Sequence, residues 1–319
     1  MSSRAHLIFN PVSGQGDAEA DLAFIQSSLE TTLDLTVYET SPDCDANTLA
    51  AQSIEQGVDL VIVSGGDGTI NAAAEALIGS STPLAVIPRG TANAVASAMG
   101  IPTKLEEACQ VALSGKAHAI DTALCNNAPM VLLAGIGLEA SVIERASRDA
   151  KDRLGVLAYA IAGVQQLREM EPFEATIETD ERVLTVQACA ITVANVAPPT
   201  SILAQGPAEV SAEDGLLDIT IVAPEGIGSA LAASYELLRS ALSGEAAQRD
   251  GIGFLRSKQV KISTEFSQKV VLDGEMFGET PITVTCQPQS LRLMLPQQEA
   301  SSESENLTGL PDLAVKSTE

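Results

Sequence analysis

The chain has no tryptophan, only two histidines (His6 and His118), and 18 Lys and Arg against 42 Asp and Glu in 319 residues. Each shortage removes a class of function. A net charge of −24 works against broad nucleic-acid binding, which needs cations on phosphates. It also works against simple electrostatic docking on anionic membranes. Two histidines cannot build a His-rich transition-metal site; a hard cation on oxygen ligands stays open. The five cysteines, Cys44, Cys109, Cys125, Cys189 and Cys286, form no C-x-x-C pair and read as reduced, buried thiols of a cytoplasmic protein. The longest apolar stretch, Leu154 to Val164, is too short to span a bilayer, and no signal peptide precedes the first strand-like run. The expectation is a cytoplasmic chain with no transmembrane segment, long enough for two cores.

What is present falls into two regimes. Residues 1–122 alternate strand-like runs (5–9, 34–38, 59–63, 84–87) with helix-like ones (17–30, 45–56, 70–78, 91–98, 104–114). That alternation predicts a mostly parallel sheet covered by helices. Glycine-bearing turns at 13–16, 65–68 and 90 all follow strands, so they gather at the carboxyl edge, where open α/β sheets bind ligands. Over residues 123–297 strand-like runs dominate (129–134, 173–178, 183–194, 216–222, 259–264, 269–272, 281–286, 290–295), which predicts an antiparallel sandwich. Helical insertions interrupt it near 139–170 and 226–243. Residues 298–319 read as a disordered acidic tail.

Chemistry concentrates in the turns. Gly65-Gly66-Asp67-Gly68-Thr69 joins the buried run Leu60–Ser64 to an Ala-rich helix. Glycines let backbone N–H groups approach an anion, and the helix N-terminus adds positive potential. No Gly-Lys-Ser/Thr follows, so this is not a Walker A loop, and it lacks the spacing of G-x-G-x-x-G. Asp67 can cap a helix or orient metal-bound water. Asn10-Pro11-Val12-Ser13-Gly14-Gln15-Gly16 is a second phosphate-facing candidate, equally readable as a plain turn. Ile87-Pro88-Arg89-Gly90-Thr91-Ala92-Asn93-Ala94 is a third; Thr91 is an expected N-cap or a phosphate contact, and Arg89 either a cation for a nucleotide or a solvated charge.

Together, in this order and spacing, the three turns resemble the diacylglycerol kinase catalytic-domain superfamily, nearest its soluble bacterial lipid kinases, which also resemble sphingosine kinases. The resemblance runs over about residues 5–296 and takes in Gly206–Asp218 and Asp273-Gly274-Glu275. It implies a NAD-kinase-like nucleotide-binding α/β domain joined to a β-sandwich, with the active site between them. It implies transfer of the ATP γ-phosphoryl group to the hydroxyl of a diacylglycerol-like lipid, with Mg²⁺ and transient peripheral membrane contact. By resemblance, Asn10, Thr40, Gly65, Gly66, Asp67, Gly68, Thr69, Ile70, Asn71 and Thr91 hold the nucleotide. Glu275 is the base, with Asp67 and the neighbouring carboxylate Asp273 as further catalytic groups. Asp214 with the main chain of Ser211 and Leu216 holds a structural Mg²⁺, and Asp121 organises water at the catalytic one. On its own, Asp-Gly after a strand reads as a hairpin turn.

Two departures stand out. Many bacterial members carry Asp where this chain has Ala94, and a glycine cluster where it has Pro198–Leu203. Arg145, Arg148, Lys151 and Arg153 fit a membrane-approach flank or, better, an ordinary amphipathic helix. Two rivals accompany the lipid-kinase reading: a kinase of NAD, which shares Gly-Gly-Asp-Gly, and a regulatory nucleotide- or lipid-binding protein without catalysis, which Ala94 favours.

Overall fold

A computed structural model describes residues 2–14, 16–137, 140, 172–198, 201, 204, 210–223 and 251–297. The helical insertions expected near 139–170 and 226–243, with the basic flank on the first, lie outside the described residues. So do the tail at 298–319, Gln15, Gly206 and most of Pro198–Leu203.

The first part is an α/β layer. Its elements are β1 (Ser3–Phe9), α1 (Ala18–Leu29), β2 (Leu33–Glu39), α2 (Ala46–Glu55), β3 (Leu60–Gly65), α3 (Asp67–Leu77), β4 (Leu84–Pro88), α4 (Ala94–Ala98) and α5 (Leu105–Ser114). Strands order as β2-β1-β3-β4, all parallel. β3 and β4 are buried along their whole length, as an apolar β-branched run covered on both faces should be. One core cluster packs Ile8, Val61, Val63 and Val86 against Leu49, Ala73 and Leu77; a second packs Leu7, Phe9, Ile62 and Ile87 against Ile25, Leu29 and Ala108. Asp17 and Asp45 start α1 and α2 by accepting backbone N–H bonds.

The second part is antiparallel. Its strands are β5 (Lys116–Cys125), β6 (Ala128–Met130), β7 (Leu133–Gly137), β8 (Phe173–Thr179), β9 (Val183–Ala188), β10 (Ala190–Ala194), β11 (Leu217–Val222), β12 (Ile252–Ser257), β13 (Gln259–Thr264), β14 (Lys269–Leu272), β15 (Glu275–Glu279) and β16 (Ile282–Leu295). A six-stranded antiparallel sheet, β12-β11-β10-β7-β14-β15, packs on strands of the other sheet around Ile136, Phe173, Ile191, Ile219, Ile262 and Val284. This is the expected sandwich.

One strand joins the two parts. β16 pairs antiparallel with β5 and β13 and parallel with β4 at Leu293↔Leu84, so a single ten-stranded sheet runs from the α/β layer into the sandwich. The expected runs 281–286 and 290–295 are one strand with a register shift between Gln287 and Leu291. β5 escapes the sequence reading because Ala, His, Asp and Thr interrupt its apolar pattern; pairing with β16 and β6 makes it a strand. Among the described residues no helix is long and apolar enough to cross a membrane.

Candidate active site

Three turns converge at the carboxyl ends of β1, β3 and β4. Asn10 follows the first strand; its backbone N–H donates to Ser64 O (2.9 Å), and its Nδ2 donates to Thr69 Oγ1 (2.7 Å). The first turn is thereby tied to the second. α3 begins at Asp67, three residues before the sequence reading starts it, so Gly68 and Thr69 lie in its first turn. Gly66 is its N-cap and offers no side chain to the first N–H groups, which leaves them to an anion or water. Gly65 makes room for Thr69: a Cβ there would stand 2.7 Å from Thr69 Cβ. Thr40 N–H donates to Phe9 O (2.9 Å), which sets Thr40 on the same edge.

The third turn lies against the second. A Cβ on Gly90 would stand 2.9 Å from both Gly66 Cα and Asn93 Oδ1. Thr91 is not the N-cap that its sequence position suggests. It is exposed, α4 starts at Ala94, and the cap position is Asn93 at φ 47°. The helix end is held from outside: Asp67 Oδ1 accepts the Ala94 N–H (2.5 Å) and Oδ2 that of Asn93 (3.0 Å). Asp67 therefore does cap a helix, but α4 rather than its own. Arg89 is not a solvated charge either. It is 7 % exposed, its Nε donates to Asp21 Oδ2 (2.9 Å), its Nη1 donates to Asn10 O (3.0 Å), and its Cζ lies 4.5 Å from the centroid of the Phe9 ring.

Asp273 and Gly274 form the two-residue turn of the β14–β15 hairpin, both at positive φ (47° and 91°). That is the type I′ pattern expected of Asp-Gly. The Asp273 carboxylate accepts the N–H groups of Val131 (2.7 Å), Leu132 (2.9 Å) and Leu133 (2.9 Å). Burial pushes its pKa up to about 6, against the pull of these three donors. This latch presents Glu275 to the α/β layer: a Cβ on Gly68 would stand 3.8 Å from Glu275 Oε1. Glu275 is exposed. An open cleft of about 210 Å³ lies here, walled by Gly68 and Asn71 of α3, by Pro129 and Val131, and by Asp273 and Glu275. Asn71 Nδ2 reaches Asp273 O at 3.5 Å, while its Oδ1 is buried with no partner among the described residues.

Asp121 is fully buried and holds two other segments together. Its Oδ1 accepts the Gln289 N–H (2.7 Å) at the irregularity of β16, and its Oδ2 accepts the Gly215 N–H (2.7 Å). The Ser211–Leu216 turn is thus fastened to β5. Within that turn Asp214 Oδ1 accepts the Leu216 N–H (3.0 Å), and Asp214 Oδ2 lies 3.8 Å from Arg256 Nη1. Arg256 Nε donates to the buried Asp218 at 2.7 Å; burial raises the Asp218 pKa against that ion pair. Asn195, which the sequence reading passes over, joins the two groups: its Nδ2 donates to Asp121 O (2.8 Å) and to Val131 O (2.9 Å). The one signal for it was a lone amide inside the apolar run Ala190–Ala197. Among the described residues no three His, Cys, Asp or Glu side chains converge as a metal-binding group. The structure therefore brings Asn10, Thr40, Gly65–Asn71, Thr91, Asp273 and Glu275 to one edge and its cleft, with Asp121, Ser211, Asp214 and Leu216 in a second group linked through Asn195 and Val131.

Residues 4–125 match the family model of the diacylglycerol kinase catalytic domain, and residues 133–295 that of the YegS C-terminal NAD kinase beta sandwich-like domain. The chain is 32% identical to a probable YegS-like lipid kinase of Stenotrophomonas maltophilia, over 82% of the chain and 87% of that protein. It is 28% identical to a diacylglycerol kinase of Bacillus subtilis, over 93% of the chain and 98% of that protein. The crystal structure of a putative diacylglycerol kinase from Bacillus anthracis superposes with a TM-score of 0.77 at 27% identity, over 92% of this chain and 98% of that one.

Proposed function

The chain belongs to the diacylglycerol kinase catalytic-domain family, and from that premise we propose that it transfers the γ-phosphoryl group of ATP to the hydroxyl of a diacylglycerol-like lipid. The observation that carries the reading is Glu275 beside Gly68, a carboxylate from the sandwich at the open N-terminus of α3. Phosphates at the Gly65–Thr69 turn would meet unpaired helix N–H groups, with the Thr40 and Thr91 hydroxyls at the same edge. Glu275 accepts the proton of the lipid hydroxyl while the hydroxyl's oxygen bonds to the γ-phosphorus and the bond from that phosphorus to the β-phosphate oxygen breaks. ADP leaves, and the phosphorylated lipid carries the new ester.

Asp67 and Asp273 act by position. Asp67 holds α4 and so fixes the Gly90 turn against Gly66. Asp273 holds the hairpin that carries Glu275. The ligands that the family resemblance names there are all oxygen with one carboxylate, a set that suits a hard ion keeping several waters, although here Asp214 accepts the Leu216 N–H and faces Arg256. Asp214 with the Ser211 and Leu216 carbonyls would hold a structural Mg²⁺, and Asp121, whose two carboxylate oxygens take backbone N–H groups, would keep that turn in place. Mg²⁺ bound with the nucleotide supplies neutralisation of phosphate charge.

The test incubates the protein with ATP, Mg²⁺ and, separately, diacylglycerol and other lipid alcohols, NAD, or no acceptor, then repeats this with Glu275→Ala and Asp67→Ala. Phosphorylated lipid from the unaltered protein and none from Glu275→Ala is the expected result. Phosphorylated NAD, or nucleotide binding with no acceptor turned over, would replace this reading with one of its rivals. Lipid phosphorylation surviving in Glu275→Ala removes the assigned base.

A further inference from the structure

We propose that Arg89 is a positioning residue for the nucleotide's phosphates, holding the Asn10–Gly14 turn in register with the Gly65–Thr69 and Gly90 turns. The inference rests on the nucleotide site proposed above. One side chain and its backbone touch all three turns. Arg89 N–H donates to Gly65 O (2.7 Å), and Nη1 donates to Asn10 O (3.0 Å). Gly14, at φ 93°, lies so close that a Cβ there would stand 3.3 Å from both Arg89 Nη2 and Arg89 O. The guanidinium is steadied from below by the Phe9 ring and from the side by Asp21.

Stability alone does not account for this placement. Arg89 Nη2 is buried with no hydrogen-bond partner among the described residues, and an unpaired N–H on a buried charge is costly. An apolar pair in place of Arg89 and Asp21 together would fill the slot without that cost, and such whole replacements of buried ion pairs are often neutral or stabilising. What an apolar side chain would lose is the grip on Asn10 O and the cation behind the Gly14 turn. That cation matters because the three turn motifs contain no lysine. Arg89 is the only cationic side chain in the three motifs, and it stands one layer beneath the cradle.

The experiment uses the full chain with Arg89→Met and Arg89→Lys. It measures Tm, the Kd of a non-hydrolysable ATP analogue by calorimetry, and KM for ATP and for the lipid acceptor separately. The expected result is a folded Arg89→Met protein of lowered Tm, because Asp21 loses its partner, with an ATP-analogue Kd and ATP KM raised about tenfold or more, roughly the worth of one charge-assisted contact, an unchanged lipid KM, and smaller changes in Arg89→Lys. Unchanged nucleotide affinity in both variants would overturn the proposal. So would a kcat that falls only in step with the folded fraction. If Arg89→Met does not fold, the same split between ATP and lipid KM in Arg89→Lys decides. An unaltered protein that binds no nucleotide removes the underlying site, an outcome distinct from variants that bind as well as their parent.

Discussion

Gly90→Ala separates the two central turns with one methyl group. The Gly90 φ lies outside the positive range, so alanine adds no backbone strain and any effect is spatial. Its Cβ would stand 2.9 Å from Gly66 Cα and 3.4 Å from Asp67 N. Reaching the ~3.5–4.0 Å of ordinary carbon contacts requires the turns to part by roughly 0.6–1.1 Å from the 2.9 Å start. The same shift stretches the bonds of Asp67 to Asn93 and Ala94 (3.0 and 2.5 Å), and the new Cβ, 2.9 Å from Asn93 Oδ1, pushes on the oxygen that accepts the Gly90 N–H (2.8 Å). Overpacking of this kind costs about 1–3 kcal/mol, and misplacing reacting groups by about 1 Å costs on the order of 10²-fold in rate. The assay is kcat/KM for ATP from coupled ADP release, with the urea midpoint measured in parallel. Gly253→Ala is the control, since nothing lies within 4 Å of its added Cβ. A Gly90→Ala protein with unaltered kcat/KM and urea midpoint would refute the argument that these turns are held at contact distance.

Glu275→Gln should lower kcat by about 10²–10⁴-fold, the worth of a general base, and leave the urea midpoint unmoved, because the side chain is exposed; a lowered midpoint would instead mark it as structural. Asp273→Ala should destabilise the fold by about 2–4 kcal/mol, three charge-assisted bonds less the desolvation that the carboxylate no longer bears. It should also lower kcat, because the hairpin under Glu275 loses its anchor; an unchanged urea midpoint counts against the latch. His6 is buried with its Nδ1 2.9 Å from Ser53 Oγ, and burial, helped by Arg4, holds its pKa below 6.5. A depressed folded pKa means that its contribution is full above 6.5 and lost as the pH falls below that value. The urea midpoint should drop in that window and His6→Gln should flatten the drop; parallel curves for the two proteins would disprove the linkage.

Some elements follow from local chemistry, written in a few neighbouring residues. Apolar β-branched runs became β1, β3 and β4, Asp17 and Asp45 set helix starts, Asp273-Gly274 made a hairpin, and glycine turns after parallel strands came to one edge. These follow from period, capping and steric allowance, which are written within a few residues of each position. Features that depend on partners distant in the chain follow only from the folded packing. Lys116–Cys125 is a strand because β16 and β6 pair with it. Thr91 yields the end of α4 to Asp67, 24 residues earlier in the chain, because turn packing brings that carboxylate within reach. Arg89 is buried because Phe9, Asn10 and Asp21 close round it, and Glu275 reaches Gly68 across more than half the chain because Asp273 grips the backbone at Val131–Leu133. A residue's type sets what it can bond, and only the folded chain sets which donor or acceptor stands opposite.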